Sequence, residues 1–235
     1  MILKERSRGE LGIEEEDRQG YVAIRDQTLA AWEIASVTLS FLLAEWMIQP
    51  FAAGSSPMSA VPLVLAFGLM LLSHHARGET AREIGWRADN FLSAVRLLIL
   101  PMIGLGLLIL VVGWFSRSLR SEKLQIWQWV VWLLCWGLIQ QYVLQGFINR
   151  RAQMLWGKGT RSVLLVAFIF ALLHLPNPWL SVATFIGGAI WAAVYQRTPN
   201  LPALALSHAL MSLLLASSFP ASALNSLRVG IRYFG

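Results

Sequence analysis

The sequence predicts an all-α fold, a polytopic bundle of about seven transmembrane helices, or eight if the C-terminal tail also crosses the membrane. Three observations predict it: 56% of the 235 residues are hydrophobic, only 14% are charged, and the apolar residues form long blocks separated by short basic stretches. A soluble domain carries about 25% charged residues, and each membrane span needs about 20 apolar residues. This composition excludes a soluble domain and a disordered chain, and the single cysteine, Cys135, excludes a disulfide scaffold and a cysteine-based zinc site.

Seven apolar stretches are the candidate spans. They cover residues 30–50, 58–73, 91–115, 127–147, 162–175, 180–195 and 202–219. The fifth and sixth are short for a straight span, so we expect tilted helices or a break near the turn at 176–178. The residues after Phe219 place Arg228 and Arg232 between apolar residues, which is typical of an interfacial segment or a partial eighth span. Residues 74–96 carry most of the mid-chain charge and predict an amphipathic surface segment.

Residues 1–27 are polar and mixed in charge, so they predict a solvated cytoplasmic N-terminal tail without a signal peptide. Residues 28–235 show no internal repeat or linker and predict one transmembrane domain. With the N-terminus inside, most of the 19 Lys and Arg residues, Arg150 and Arg151 among them, fall in cytoplasmic segments as positive-inside anchors. The net charge of +6 then requires no nucleic-acid partner. We expect an integral protein of the bacterial inner, or cytoplasmic, membrane, in contact with lipid.

Polar side chains within the apolar stretches are the candidate functional residues, because each costs free energy in a bilayer unless it has partners or a purpose. They are Glu45 in the first stretch, Gln140, Gln141 and Gln145 in the fourth, His174 at the end of the fifth, and His208 and Ser212 in the seventh. Ser212 follows His208 by one helical turn, so the pair shares a helix face. Three helices with polar faces predict a shared cavity. Straight helices would hold His174 and His208 far apart, so the cavity requires tilted or broken helices, or a re-entrant segment at 199–202.

These residues form three spaced motifs. They are Gln140-Gln141-x-x-x-Gln145-Gly146-Phe147, Phe170-x-x-x-His174 and His208-Ala-x-x-Ser212. Their order and spacing resemble the CAAX protease and bacteriocin-processing family (CPBP, also called Abi), whose intramembrane endopeptidases carry Glu-Glu-x-x-x-Arg, Phe-x-x-x-His and His-x-x-x-Asn in these places. The resemblance covers about residues 80–234. It implies a helical membrane endopeptidase that hydrolyses peptide bonds of membrane-associated substrates.

The resemblance also implies a role for each motif. In the family, a glutamate and a histidine activate the attacking water, and a histidine with an asparagine stabilises the oxyanion. His174 would then share the proton of the water, and His208 would face the oxyanion. Gln140 stands in place of the catalytic glutamate, and the two other charged positions of the first motif are glutamines as well. An amide cannot accept a proton at neutral pH, and the loss of a general base costs about 10²- to 10⁴-fold in rate.

The replaced base leaves three options for the chemistry. Glu45 supplies the missing carboxylate from the first span, a histidine acts as base alone, or the site binds a peptide or partner helix without hydrolysing it. The alternative to an endopeptidase is therefore a non-catalytic pseudoprotease that binds or escorts a membrane protein or peptide. No cofactor is expected, because a catalytic zinc takes three protein ligands and the pattern offers two histidines.

Overall fold

The computed structural model describes residues 2–48, 60–119 and 126–235, and these residues form helices and turns without a strand. The helices are α1 (Ile2–Leu43), α2 (Val61–Ala76), α3 (Ala81–Ile84), α4 (Phe91–Phe115), α5 (Ile126–Gln141), α6 (Arg150–Trp156), α7 (Thr160–Leu172), α8 (Pro178–Arg197) and α9 (Leu201–Ser218). π-Helical turns extend α1 over Ala44–Ile48 and join α5 to α6 over Tyr142–Asn149. The predicted all-α fold is confirmed, and α1 runs unbroken from the polar N-terminal segment into the first apolar stretch.

Seven apolar helices correspond in order to the seven predicted stretches. In the described part of the chain, five of them have the length and composition to cross a membrane: Ile24–Ile48, Phe91–Phe115, Val130–Trp156, Pro178–Arg197 and Leu201–Ser218. α2 and α7 are apolar but shorter. The predicted end of the first stretch at residue 50 and start of the second at 58 lie outside the described residues. The sixth stretch forms a longer helix than predicted, because α8 takes in Pro178 and extends to Arg197.

The C-terminal tail does not form an eighth span, so that option is wrong. After α9 ends at Ser218, the chain forms turns and two short 3-10 segments, Asn225–Leu227 and Gly230–Phe234. The φ angles of Asn225, Ser226 and Leu227 are 45°, 52° and 60°. A run of left-handed residues cannot continue a right-handed helix. The tail therefore turns back onto the bundle instead of crossing.

The α7–α8 connection is the break that the sequence predicts at 176–178. α7 ends at Leu172 after 13 residues, and His174 lies in the turn that follows. Asn177 starts α8 as its N-cap residue, because its side-chain oxygen accepts a hydrogen bond from the N–H of Leu180 at 3.2 Å. The short α7 therefore ends at a turn that holds His174 within the bundle, not at a distant helix end.

The α8–α9 connection is anchored by a fully buried asparagine. Asn200 accepts a hydrogen bond from the N–H of Ala203 at 2.9 Å and donates to the carbonyl of Arg87 at 2.7 Å. The N–H of Leu201 donates to the carbonyl of Gly85 at 2.9 Å. The segment at 199–202 thus docks on the loop between α3 and α4, and the re-entrant alternative is not needed to bring the two histidines together.

A buried set of charges, here called the charged cluster, joins α1, α2 and α6. Arg151 is fully buried, and its guanidinium lies 2.8 Å from a carboxylate oxygen of Glu33 and 2.9 Å from one of Glu79. Arg150 contacts Glu79 at 2.6 Å. The Ser73 hydroxyl donates to Glu33 at 2.7 Å and accepts from Arg151 at 2.9 Å. Arg151 is therefore an interior ion-pair partner rather than the surface anchor that its place in the sequence predicts.

The apolar core lies where the π-helical turn after α5 packs against α7, α8 and α9. Phe147, Phe170 and Leu204 are among its fully or nearly fully buried members. Gly188 allows the close crossing of α7 and α8, since a Cβ there would lie 3.2 Å from the Cα of Ala167.

Candidate active site

A cavity of about 750 Å³, here called the central cavity, lies between α4, α5, α7, α8, α9 and the C-terminal tail. Its wall is mainly apolar, and its polar lining residues are few. They are Glu45, Ser116, Ser118, Gln140, His174, Thr184, His208 and Ser212. A volume of about 300–1,000 Å³ with a few placed polar groups is typical of a ligand site. The structure thus brings five of the seven predicted site residues to one cavity: Glu45, Gln140, His174, His208 and Ser212.

His174 presents a hydrogen-bond acceptor to the cavity. Its Nδ1 lies 2.8 Å from the carbonyl oxygen of Phe170. A carbonyl oxygen can only accept, so Nδ1–H donates and Nε2 keeps its lone pair. The ring also packs against the edge of the Phe170 ring, with centroids 4.8 Å apart. Backbone and aromatic contacts together hold His174 in one tautomer and one orientation.

His208 presents the complementary group. The side-chain amide nitrogen of Gln141 lies 3.2 Å from Nδ1 of His208 and donates to it, so Nε2 carries the hydrogen. The indole of Trp191 stacks on the ring at a centroid distance of 4.6 Å. Trp191 is itself held by a hydrogen bond of 2.8 Å from its Nε1–H to the hydroxyl of Ser207. The two histidines therefore offer one acceptor and one donor to the same space.

Gln145 points away from the cavity. It is fully buried, and its Oε1 accepts a hydrogen bond of 2.8 Å from Asn149. Asn149 also donates to the carbonyl of Ala192 at 3.2 Å and accepts from Gln196 at 3.1 Å. The π-helical turn that begins at Tyr142 changes the angular phase of the helix, so a residue one α-turn after Gln141 no longer shares its face. Gln145 joins the helices behind the site.

The first motif is divided between the cavity and the interior behind it. Gln140 lines the cavity, whereas Gln141 is fully buried and reaches the cavity only through His208. In residues 2–48, 60–119 and 126–235, no carboxylate lies within hydrogen-bond distance of either histidine ring. The neutral histidines thus have neutral partners.

Glu45 lines the central cavity from the π-helical turn that ends α1, beside the C-terminal tail. It is half-buried, and the C-terminal tail packs on its backbone at Gly230. In the described part of the chain, no group of three His, Cys, Asp or Glu side chains is placed to hold a metal ion.

Sequence reasoning missed two parts of the site. Trp191 and Ser207 support His208, but neither residue belongs to a recognisable motif in its apolar helix. The C-terminal tail supplies part of the cavity wall, including Leu224 and Val229. Local patterns carry no signal for either role, because both depend on contacts between helices distant in the chain.

The fold and the cavity define an integral membrane protein with an enclosed polar site between its helices. Residues 122–214 match a family model described as type II CAAX prenyl endopeptidase Rce1-like. The matched segment contains all three motifs and confirms the resemblance to the CAAX protease family. No curated protein and no solved structure matches the chain.

Proposed function

We propose that the protein binds a segment of a membrane-associated peptide or protein in the central cavity and does not hydrolyse it efficiently, as a CAAX-type pseudoprotease. One observation carries this proposal. Gln140 and Gln141 replace the two family glutamates, and among the described residues no carboxylate contacts His174 or His208. Without a general base, the rate of water attack falls by about 10²- to 10⁴-fold.

The neutral residues support one another. Gln141 donates to His208, and Gln145 accepts from Asn149. A single charged residue in this buried region would lack a partner, and a buried unpaired charge costs several kcal/mol (about 3–5). Replacing both acids and the base of the first motif together avoids that cost. This supports a stable binding site rather than a damaged catalytic one.

The cavity suits a peptide backbone. The hydrogen on Nε2 of His208 can be donated to a peptide carbonyl, and the free Nε2 of His174 can accept from a peptide N–H. The apolar wall favours apolar side chains, such as those of membrane-spanning segments. An extended apolar segment therefore satisfies both the polar and the apolar parts of the site.

A slow endopeptidase is the second candidate, and the tautomer of His174 favours it. Its free Nε2 is able to take the proton of a water that attacks the scissile carbonyl, while His208 donates to the oxyanion. Glu45 lines the same cavity and is the carboxylate available to assist. This reaction needs neither Gln140 nor Gln141 as a base.

A cleavage assay on the purified protein in lipid nanodiscs separates the two candidates. A prenylated reporter peptide of the CAAX type is incubated with wild type, Gln140→Glu, Glu45→Gln and His174→Ala. We expect no cleavage by wild type and measurable cleavage by Gln140→Glu. Gln153→Glu is the matched control, because it adds a carboxylate outside the cavity. Wild-type cleavage that His174→Ala abolishes would instead establish the slow endopeptidase, and cleavage that survives His174→Ala would refute both mechanisms.

Binding is measured with the same peptide carrying a fluorophore. Ser212→Trp fills the cavity and is expected to abolish binding. Leu210→Trp, on the exposed face of the same helix, is the matched control and should bind as wild type does. Equal binding by the two variants would contradict the proposal that the cavity is the binding site.

A further inference from the structure

The C-terminal tail covers one end of the central cavity. Residues 219–235, here called the C-terminal cap, contribute Pro220, Ala223, Leu224, Leu227 and Val229 to the cavity wall. The cap thus presents a short apolar segment to the space in which the proposed function places a bound peptide.

Buried hydrogen bonds hold the cap in place. The side-chain amide of Asn177, itself buried, donates to the carbonyls of Leu224 and Arg228 at 2.8 and 3.2 Å. The N–H of Gly230 donates to the carbonyl of Leu175 at 2.8 Å. The cap is therefore attached to the α7–α8 connection and not to α9 alone.

The cap lies directly on the turn that carries Glu45. Gly230 has a φ of +57°, and a Cβ at this position would lie 2.7 Å from the backbone oxygen of Glu45. Only glycine permits both this left-handed backbone and this approach. The Glu45 end of the cavity and the cap thus form one interface.

Glu45 is chemically distinct within that interface. Among the described residues that line the cavity, it is the only one besides the two histidines whose side chain ionises. Arg232 lies in the 3-10 segment Gly230–Phe234, which packs on the turn of Glu45, where the rings of Trp46 and Phe234 have centroids 6.5 Å apart. No described cation lies within ion-pair distance of the Glu45 carboxylate. A carboxylate with a largely apolar surrounding is stabilised by a nearby cation.

We propose that the Glu45 end of the central cavity recognises a basic side chain, lysine or arginine, carried on the apolar segment that binds there. The C-terminal cap, with apolar residues followed by Arg232, has the same character and competes for this end of the cavity. The inference rests on the proposed function and names the class of segment that the site accepts.

The test compares two short apolar peptides that differ at one position near the end of the peptide, which is lysine in one peptide and glutamine in the other. Each carries a fluorophore, and its affinity is measured by anisotropy in nanodiscs of uncharged phosphatidylcholine, so that lipid charge does not attract the peptide. Wild type is expected to bind the lysine peptide about tenfold more tightly, the ratio for one charge-assisted hydrogen bond. Glu45→Gln should reduce that ratio to about one.

Variants of the C-terminal cap provide an independent test of the same inference. Arg232→Gln removes the competing cation and should raise the affinity for the lysine peptide several-fold while leaving the glutamine peptide unchanged. Arg228→Gln, an exposed cation in the same cap, is the matched control and should change neither affinity. Because Arg232 is exposed, this arm remains informative if Glu45→Gln fails to fold.

The outcomes separate this inference from the proposed function. Equal affinity of wild type for the two peptides, or an Arg232→Gln variant without effect, overturns the recognition of a basic group and leaves peptide binding intact. If neither peptide binds wild type, the proposed function itself fails. A tenfold preference that depends on Glu45 and increases without Arg232 supports the inference.

Discussion

Replacing Arg151 with methionine is expected to destabilise the fold by about 3 kcal/mol, because two largely buried carboxylates then lose a shared partner. Arg151 has no exposed surface, lies 2.8 Å from Glu33 and 2.9 Å from Glu79, and donates to Ser73. Methionine keeps the apolar contact with Phe147, over whose ring the guanidinium now lies. The substitution thus removes the charge with little change in packing.

The magnitude follows from the partners that remain. Removing one member of a buried ion pair costs about 3–5 kcal/mol. Arg77 keeps a contact of 3.3 Å with Glu33, and Arg150 keeps one of 2.6 Å with Glu79. Neither carboxylate is left without a cation, so the lower end of that range applies. Arg151→Lys should lower the free energy of unfolding by less than Arg151→Met does. It should still be destabilising, because an ammonium cannot contact both carboxylates as a planar guanidinium does.

Unfolding of the purified protein in detergent measures this cost, with denaturant titration followed by circular dichroism. Arg161→Met is the control, because Arg161 is exposed and its replacement should change stability by no more than about 0.5 kcal/mol. A cost for Arg151→Met as small as that of the control would refute the view that the charged cluster holds α1, α2 and α6 together.

Three further predictions concern the same scaffold. Burial would raise the pKa of Glu79, but hydrogen bonds from His74 and the neighbouring arginines outweigh it and hold that pKa well below the usual range. The ionised Glu79 therefore stabilises the fold above its unfolded pKa of about 4.3, and this contribution is lost as the pH falls toward its lower pKa in the folded state. Glu79→Gln should consequently flatten the acid limb of a plot of stability against pH. Asn200→Ala should cost about 2–3 kcal/mol in the same unfolding assay, because a helix cap and a buried donor are lost together. Gly188→Ala should lower the melting temperature by overpacking, at a cost of about 1–3 kcal/mol, because its Cβ would meet the backbone of Ala167 at 3.2 Å.

Each of the three has a matched control. Asp26→Asn removes a partly exposed carboxylate outside the charged cluster and should leave the acid limb as it is in wild type. Asn200→Asp keeps the capping oxygen and should cost less than alanine; equal costs would mean that the cap contributes nothing. Gly104→Ala meets no atom within 4 Å, so a melting temperature lowered as much as in Gly188→Ala would show that the effect is not one of crowding.

Much of the fold follows from local sequence. The number and order of the apolar helices, the break before Pro178 and the three family motifs are all readable along the chain. The physical reason is that a bilayer requires backbone groups to be satisfied within each segment, so a span needs a continuous run of apolar, helix-forming residues. The need for an apolar, helix-forming run is local, so the composition of each segment alone indicates it.

The arrangement of the candidate site is not local. Spacing places Gln145 on the face of Gln141, but the π-helical turn from Tyr142 turns it toward Asn149. Such a turn depends on packing against neighbouring helices, and the sequence carries no sign of it. The eighth-span option failed for a similar reason, since the stability of the C-terminal cap comes from Asn177 on another connection.

The sequence by itself determined the class of protein, an all-α membrane protein that resembles the CAAX protease family, and the presence of three glutamines where that family has a charged motif. Only the tertiary structure decided that the charges lie elsewhere, with Arg151 between Glu33 and Glu79 and with Glu45 beneath the C-terminal cap. The physical reason is that a buried charge is stable only beside its partner, and those partners are far away along the chain.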